Sequence, residues 1–130
     1  MKRILGACLI LSVALFCFGE FAFAAAAAEH HAAATASKTV SGEIVDLSCY
    51  LGHGAKGAGH KECAATCIAN GGPMGLLTDK GMLYVLTMNH DNADAFNSAK
   101  KHAGDKVKIT GPVTMKNSTR ALEVNGVETI

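Results

Sequence analysis

The sequence predicts a mainly β domain of the α+β class. It is read as a five-stranded, OB-like barrel with a Cys/His helix inserted between strands 1 and 2 and a second helix between strands 3 and 4. Three observations support this. Short alternating or β-branched segments recur through residues 38–130, glycine and proline punctuate them, and two intervening stretches free of both have helical spacing. The order strand, helix, strand, strand, helix, strand, strand is that of an OB barrel once the first helix is set aside. Another small antiparallel barrel or a sandwich remains the alternative for such an order.

Thr39 to Leu47 partly alternates and is read as the first strand, bent at Gly42. Gly52 to Gly59 contains four glycines and is expected to be loop. His60 to Asn70 lacks glycine and proline, contains Ala64, Ala65 and Ala69, and is expected to be helix until Gly71, Gly72 and Pro73 stop it. Met74–Thr78 and Met82–Thr87 read as strands joined by a tight turn at Asp79-Lys80-Gly81. Asp91 or Asn92 can cap a second helix running to His102, with Ala93, Phe96 and Ala99 on one face. Lys106 to Thr110 alternates strictly and continues past Gly111-Pro112 to Met115. Ala121–Val124 and Val127–Ile130 form the last strand, turned at Asn125-Gly126.

The amino terminus reads as a leader. Lys2 and Arg3 precede an apolar run from Ile4 to Phe18, and Ala22-Phe23-Ala24 supplies the small residues a signal peptidase selects. A spanning helix needs roughly 20 apolar residues, and this run is shorter. Residues 1–24 are therefore expected to be a Sec-type signal peptide cleaved near Ala24. That places the protein in the periplasm or outside the cell, with no membrane anchor after cleavage. Lipid attachment at Cys8 or Cys17 fits less well, because Cys8 has no hydrophobic stretch before it and bulky Phe16 precedes Cys17. Residues 25–37, alanine-rich with His30 and His31, are expected to be a flexible leader. The domain is placed at 38–130, long enough for one modest core. Its aromatics are Tyr50, Tyr84 and Phe96, so Val, Ile, Leu and Met must fill that core, with Met74, Met82 and Met88 read as packing residues.

Of twelve basic residues, Lys2 and Arg3 lie in the signal segment; of eleven acidic ones, Glu20 does. Ten of each remain. A formally neutral chain lacks the field that nucleic acid would require, so nucleic acid is excluded as a partner.

The chemistry lies in residues 49–67. Cys49, Cys63 and Cys67, with His53 and His60, put three thiols and two imidazoles within nineteen residues. On a helix Cys63 and Cys67 are i and i+4, so both sulfurs emerge on one face. His60 and Cys67 lie ~10 Å apart along an ideal helix axis, too far for one ion unless His60 sits before the first turn. The expected ligands are Cys49, Cys63 and Cys67 with His60 as fourth, His53 being the alternate, and the glycine-rich loop carrying Cys49 over the helix. Thiolates suit soft or borderline ions, here Cu(I) or Zn(II), and a Cys₃His set is a closed zinc arrangement. No C-x-x-C-H occurs for c-type haem, and iron–sulfur centres normally use four cysteines. Asp46 and Glu62 lie close enough in sequence to orient a ligating imidazole.

Two alternatives stand beside a metal site. One is a disulfide from Cys49 to Cys63 or Cys67, stapling an OB-type interaction domain and leaving one thiol over. The other is thiol–disulfide redox chemistry at Cys63, nearest the helix start. No Ser/His/Asp pattern or phosphate-cradling glycine motif points to an enzyme. The expected role is a metal carrier, buffer or assembly factor, its partners a metal ion and another exported protein.

The strings G-E-I-V-D-L-S-C-Y (42–50), H-K-E-C-A-A-T-C (60–67) and G-G-P-M-G-L-L (71–77) resemble small exported bacterial OB-fold-like proteins with a Cys/His-rich helix. The G-D-K-V-K-I-T-G-P-V run beginning at Gly104 resembles the closing strands of such domains. The resemblance implies that the helix belongs to the domain and attaches no activity to it.

Overall fold

The computed structural model describes residues 36–130; the expected signal segment and nearly all of the alanine-rich leader lie outside them. Ten elements follow in chain order: β1 (Ser37–Asp46), α1 (Leu47–His53), a 3₁₀ turn (Ala58–His60), α2 (Lys61–Ala69), β2 (Met74–Leu77), β3 (Leu83–Met88), α3 (Ala93–Lys100), β4 (Lys106–Lys116), β5 (Thr119–Val124) and β6 (Gly126–Thr129).

The strands close a five-stranded barrel in the order β1-β2-β3-β5-β4 and back to β1, with β6 continuing β5 along β4. Every pairing is antiparallel except β3 with β5. The barrel is OB-like, as the element order predicts. One long strand makes closure possible. The first part of β1 pairs with β4, from Ser37 opposite Pro112 to Glu43 opposite Lys106. From Glu43 onward it pairs with β2, ending with Asp46 opposite Met74.

The single terminal strand expected from sequence is two strands separated by a bulge. Val113 pairs with Leu122 and Thr110 with Gly126, so Gly111 and Pro112 face three residues, Glu123 to Asn125. The extra residue bends the chain where β4 passes from one neighbour to the next. Gly111 is required there, because a Cβ would lie 1.7 Å from the Glu123 carbonyl oxygen.

Alternate positions fill the interior: Val107 and Ile109 of β4, Leu122 and Val124 of β5, Tyr84 and Leu86 of β3, with Ile44 and Leu76. Met74 is buried among them, whereas Met82 and Met88 are 39 % and 41 % exposed and do not fill the core as expected. Helix α3 covers one end of the barrel through Ala99, Ala95 and Phe96. Asn92 occupies its N-cap position but makes no side-chain cap hydrogen bond.

Gly111→Ala should lower stability by about 1–3 kcal/mol or more, the cost of overpacking against backbone that has nowhere to move. Gly59→Ala, where a Cβ meets nothing within 4 Å, should stay within about 0.5 kcal/mol of wild type. Urea unfolding of both variants checks the pair.

Candidate metal centre

The β1–β2 connection differs from the sequence expectation in one consequential way. Cys49 is carried by a helix, not by a glycine-tethered loop. Strand β1 stops at Asp46, whose side chain caps α1 by accepting from the amides of Ser48 and, at 2.9 Å, Cys49. The Leu47 amide donates to the Pro73 carbonyl, fixing the junction to the start of β2. Leu47 itself is buried with Val45 and Leu77. Gly54 closes α1 in the left-handed conformation, its amide returning to the Tyr50 carbonyl. The loop proper is therefore shorter than the Gly52–Gly59 expected. It is tied to the barrel by the Gly57 amide, which donates to the Glu43 carboxylate.

Helix α2 is placed by its apolar stripe. Ala64 and Ile68 enter the main core. Cys63 and Cys67 each precede one of these residues, so they lie about 100° round the helix on its flank. Cys63 is exposed and Cys67 half-buried. The helix end is drawn close to Asp46. The Gly72 amide donates to the Cys67 carbonyl, and a Cβ on Gly72 would lie 2.8 Å from that oxygen and 3.1 Å from the Asp46 carboxylate. Only glycine fits that approach.

Two helices thus present paired donors to each other: Cys49 and His53 at i and i+4 on α1, Cys63 and Cys67 at the same spacing on α2. The three sulfurs lie within 4.8 Å of one another. Ligands on one ion with bonds of ~2.3 Å are about 3.7–4.0 Å apart, so a small closing movement of the side chains completes the set. His60 is the residue before α2, at its N-cap position. The structure groups it with Cys49 and His53, whose ligand atoms also lie within 4.8 Å of one another, and not with Cys63 and Cys67. The His53 and His60 rings meet edge to face with centroids 6.0 Å apart. All three cysteines are free thiols.

No known protein family, curated protein or solved structure matches the chain.

Electrostatics around the sulfurs are set by Asp46, which is 1 % exposed. Burial by itself would raise its carboxyl; hydrogen bonds from the Cys49 amide and thiol and from the Ser48 amide, with the nearby His60, outweigh burial and hold it below its ordinary value. The effect on the thiol is the reverse. Hydrogen bonding to the Asp46 carboxylate, then burial, then the negative charges of Asp46 and Cys63 push Cys49 up to about 12. Burial first, and Cys63 second, raise Cys67. From the sequence Asp46 could orient an imidazole or simply be solvated; in the structure it is buried and its hydrogen bonds go to the start of the Cys49 helix. Glu62 is exposed, and its carbonyl accepts from the Thr66 hydroxyl.

Asp46→Ala should cost ~1 kcal/mol as a lost cap, and Asp46→Asn less, since both residues cap well. Because the folded carboxyl ionises below its ordinary 3.8, its stabilising contribution is complete above that pH and is lost as pH falls through the folded value. Asp46→Asn should remove this part of the acid sensitivity in acid-unfolding curves. In a Cys63→Ser, Cys67→Ser background, Asp46→Asn should also lower the Cys49 titration by about one pH unit or more, read by thiolate ultraviolet absorbance. Equal titrations with and without the carboxylate would contradict the assignment.

Proposed function

We propose that this chain is an exported metal-binding protein whose Cys49, Cys63 and Cys67 hold a soft or borderline cation, Cu(I) or Zn(II), for carriage, buffering or delivery to an assembling partner. The observation that carries the reading is the convergence of the three sulfur atoms within 4.8 Å from two separately anchored helices. Thiolate sets of this kind select such ions. A cation at their centre offsets the charge that otherwise keeps Cys49 protonated, so metal entry and thiol deprotonation are one event.

Placement of the site supports a carrier over a structural centre. The barrel core is complete without it, and Cys63 is exposed, which leaves a path for a partner's ligand to approach. Export rests on the charged, apolar and A-x-A pattern of residues 1–24. A thiol redox role at Cys49 or Cys67 is less well supported: a reactive cysteine needs a lowered pKa, and both thiols are shifted upward.

Outer partners of metal ligands are worth about 10- to 100-fold in affinity, so loss of a direct ligand in Cys63→Ser should weaken Cu(I) or Zn(II) binding by more than ~100-fold. Competition titration of the anaerobically purified chain reads this, with native mass spectrometry to identify the bound ion. Unchanged affinity in Cys63→Ser for both ions would overturn the function. A thiol count under denaturing, non-reducing conditions separates the disulfide alternative, which predicts one free thiol in the domain instead of three.

A further inference from the structure

We propose that the site holds two soft monovalent cations bridged by the Cys49 thiolate, one bound also by Cys63 and Cys67, the other also by His53 and His60. This rests on the reading of the sulfur set as a metal site and extends it to residues of a second set.

The geometry divides the donors. The sulfur triad and the Cys49-His53-His60 triad each satisfy the 4.8 Å limit, and Cys49 belongs to both. A single ion at the sulfur triad leaves the imidazole pair unused. The His60 ring supplies the independent observation: its Nε2 is buried with no hydrogen-bond partner. A buried nitrogen without a partner is unfavourable, and a cation bound through it would give it one. The His53 and His60 rings are inclined at 82°, and a nitrogen of each comes within 4.8 Å of the Cys49 sulfur.

Donor number selects the kind of ion. Each triad offers three ligand atoms, whereas closed zinc sites use four. Thiolate with imidazole in sets of three suits Cu(I), and a thiolate sulfur has lone pairs enough to join two such ions. Charge points the same way. Once metal entry has deprotonated all three thiols, they and the Asp46 carboxylate bring four negative charges together. One monovalent ion leaves three of them unbalanced, and a second ion relieves part of that repulsion.

The reduced chain lacking residues 1–24, and with them Cys8 and Cys17, is titrated anaerobically with Cu(I), supplied as its acetonitrile complex, and examined by native mass spectrometry and copper X-ray absorption. Wild type should take two ions per chain, with mixed sulfur and nitrogen coordination and a copper–copper scattering path. The His53→Gln, His60→Gln protein should take one, in all-sulfur coordination. Saturation of wild type at one ion, or retention of two by the histidine variant, would overturn the dinuclear centre and leave the sulfur site standing. Uptake of no ion would overturn both. Should the histidine variant lose its cooperative melt, the copper–copper path in wild type decides alone.

Discussion

A buried carboxylate at the junction of β1 and α1 is the constraint on which the site depends. Removing a charged group from water is costly unless hydrogen bonds replace the solvent. Asp46 obtains them from the amides of Ser48 and Cys49 and from the Cys49 thiol. Those same bonds end the strand, start the helix and fix the direction in which Cys49 leaves the barrel. They also keep its thiol protonated. A protonated thiol is a poor nucleophile, so the group that orients Cys49 also disfavours its thiolate.

The remaining sulfurs are positioned by apolar packing. Ala64 and Ile68 anchor α2 in the barrel core, and the salt bridge from Lys61 to Asp105 at 2.5 Å ties its first residue to the segment leading into β4. The Gly72 backbone brings the far end of the helix against Asp46. Cysteine-bearing helices held by the barrel in this way form a preorganised arrangement more than a flexible loop. The conformational freedom that such an arrangement has left to lose is small.

Much of this was legible in the residues, and the failures have physical causes. Strand order followed from alternation and from Gly/Pro punctuation, since a barrel strand with one face inward must alternate. The Cys63–Cys67 stripe was readable from helical spacing alone. Helix α1 was not, because its seven residues are shadowed by an apolar run continuing from β1 and by glycines on the other side. Its signal was present: Asp46 stands three residues before Cys49, in the N-cap relation, and Cys49 and His53 repeat the spacing of Cys63 and Cys67. Without that helix Asp46 reads as a partner for an imidazole and not as a helix cap, and His53 and His60 compete for one position, when the fold brings both to Cys49. Met82 and Met88 are in phase with the inward-facing Tyr84 and Leu86, but one lies just before β3 and the other is its last residue, beyond the ends of the core; residue type alone did not reveal their exposure.

Inorganic arsenite provides the most direct measurement of the central claim, because a single As(III) takes three thiolates only when all three can reach it. The reduced chain is titrated with arsenite under native conditions, and the thiols left accessible to a small alkylating reagent are then counted. Binding of one As(III) per chain, with Cys49, Cys63 and Cys67 protected together and Cys49→Ser abolishing the protection, is the expected result. Alkylation of Cys49 at its free rate while Cys63 and Cys67 are protected would contradict the convergence of the three sulfurs.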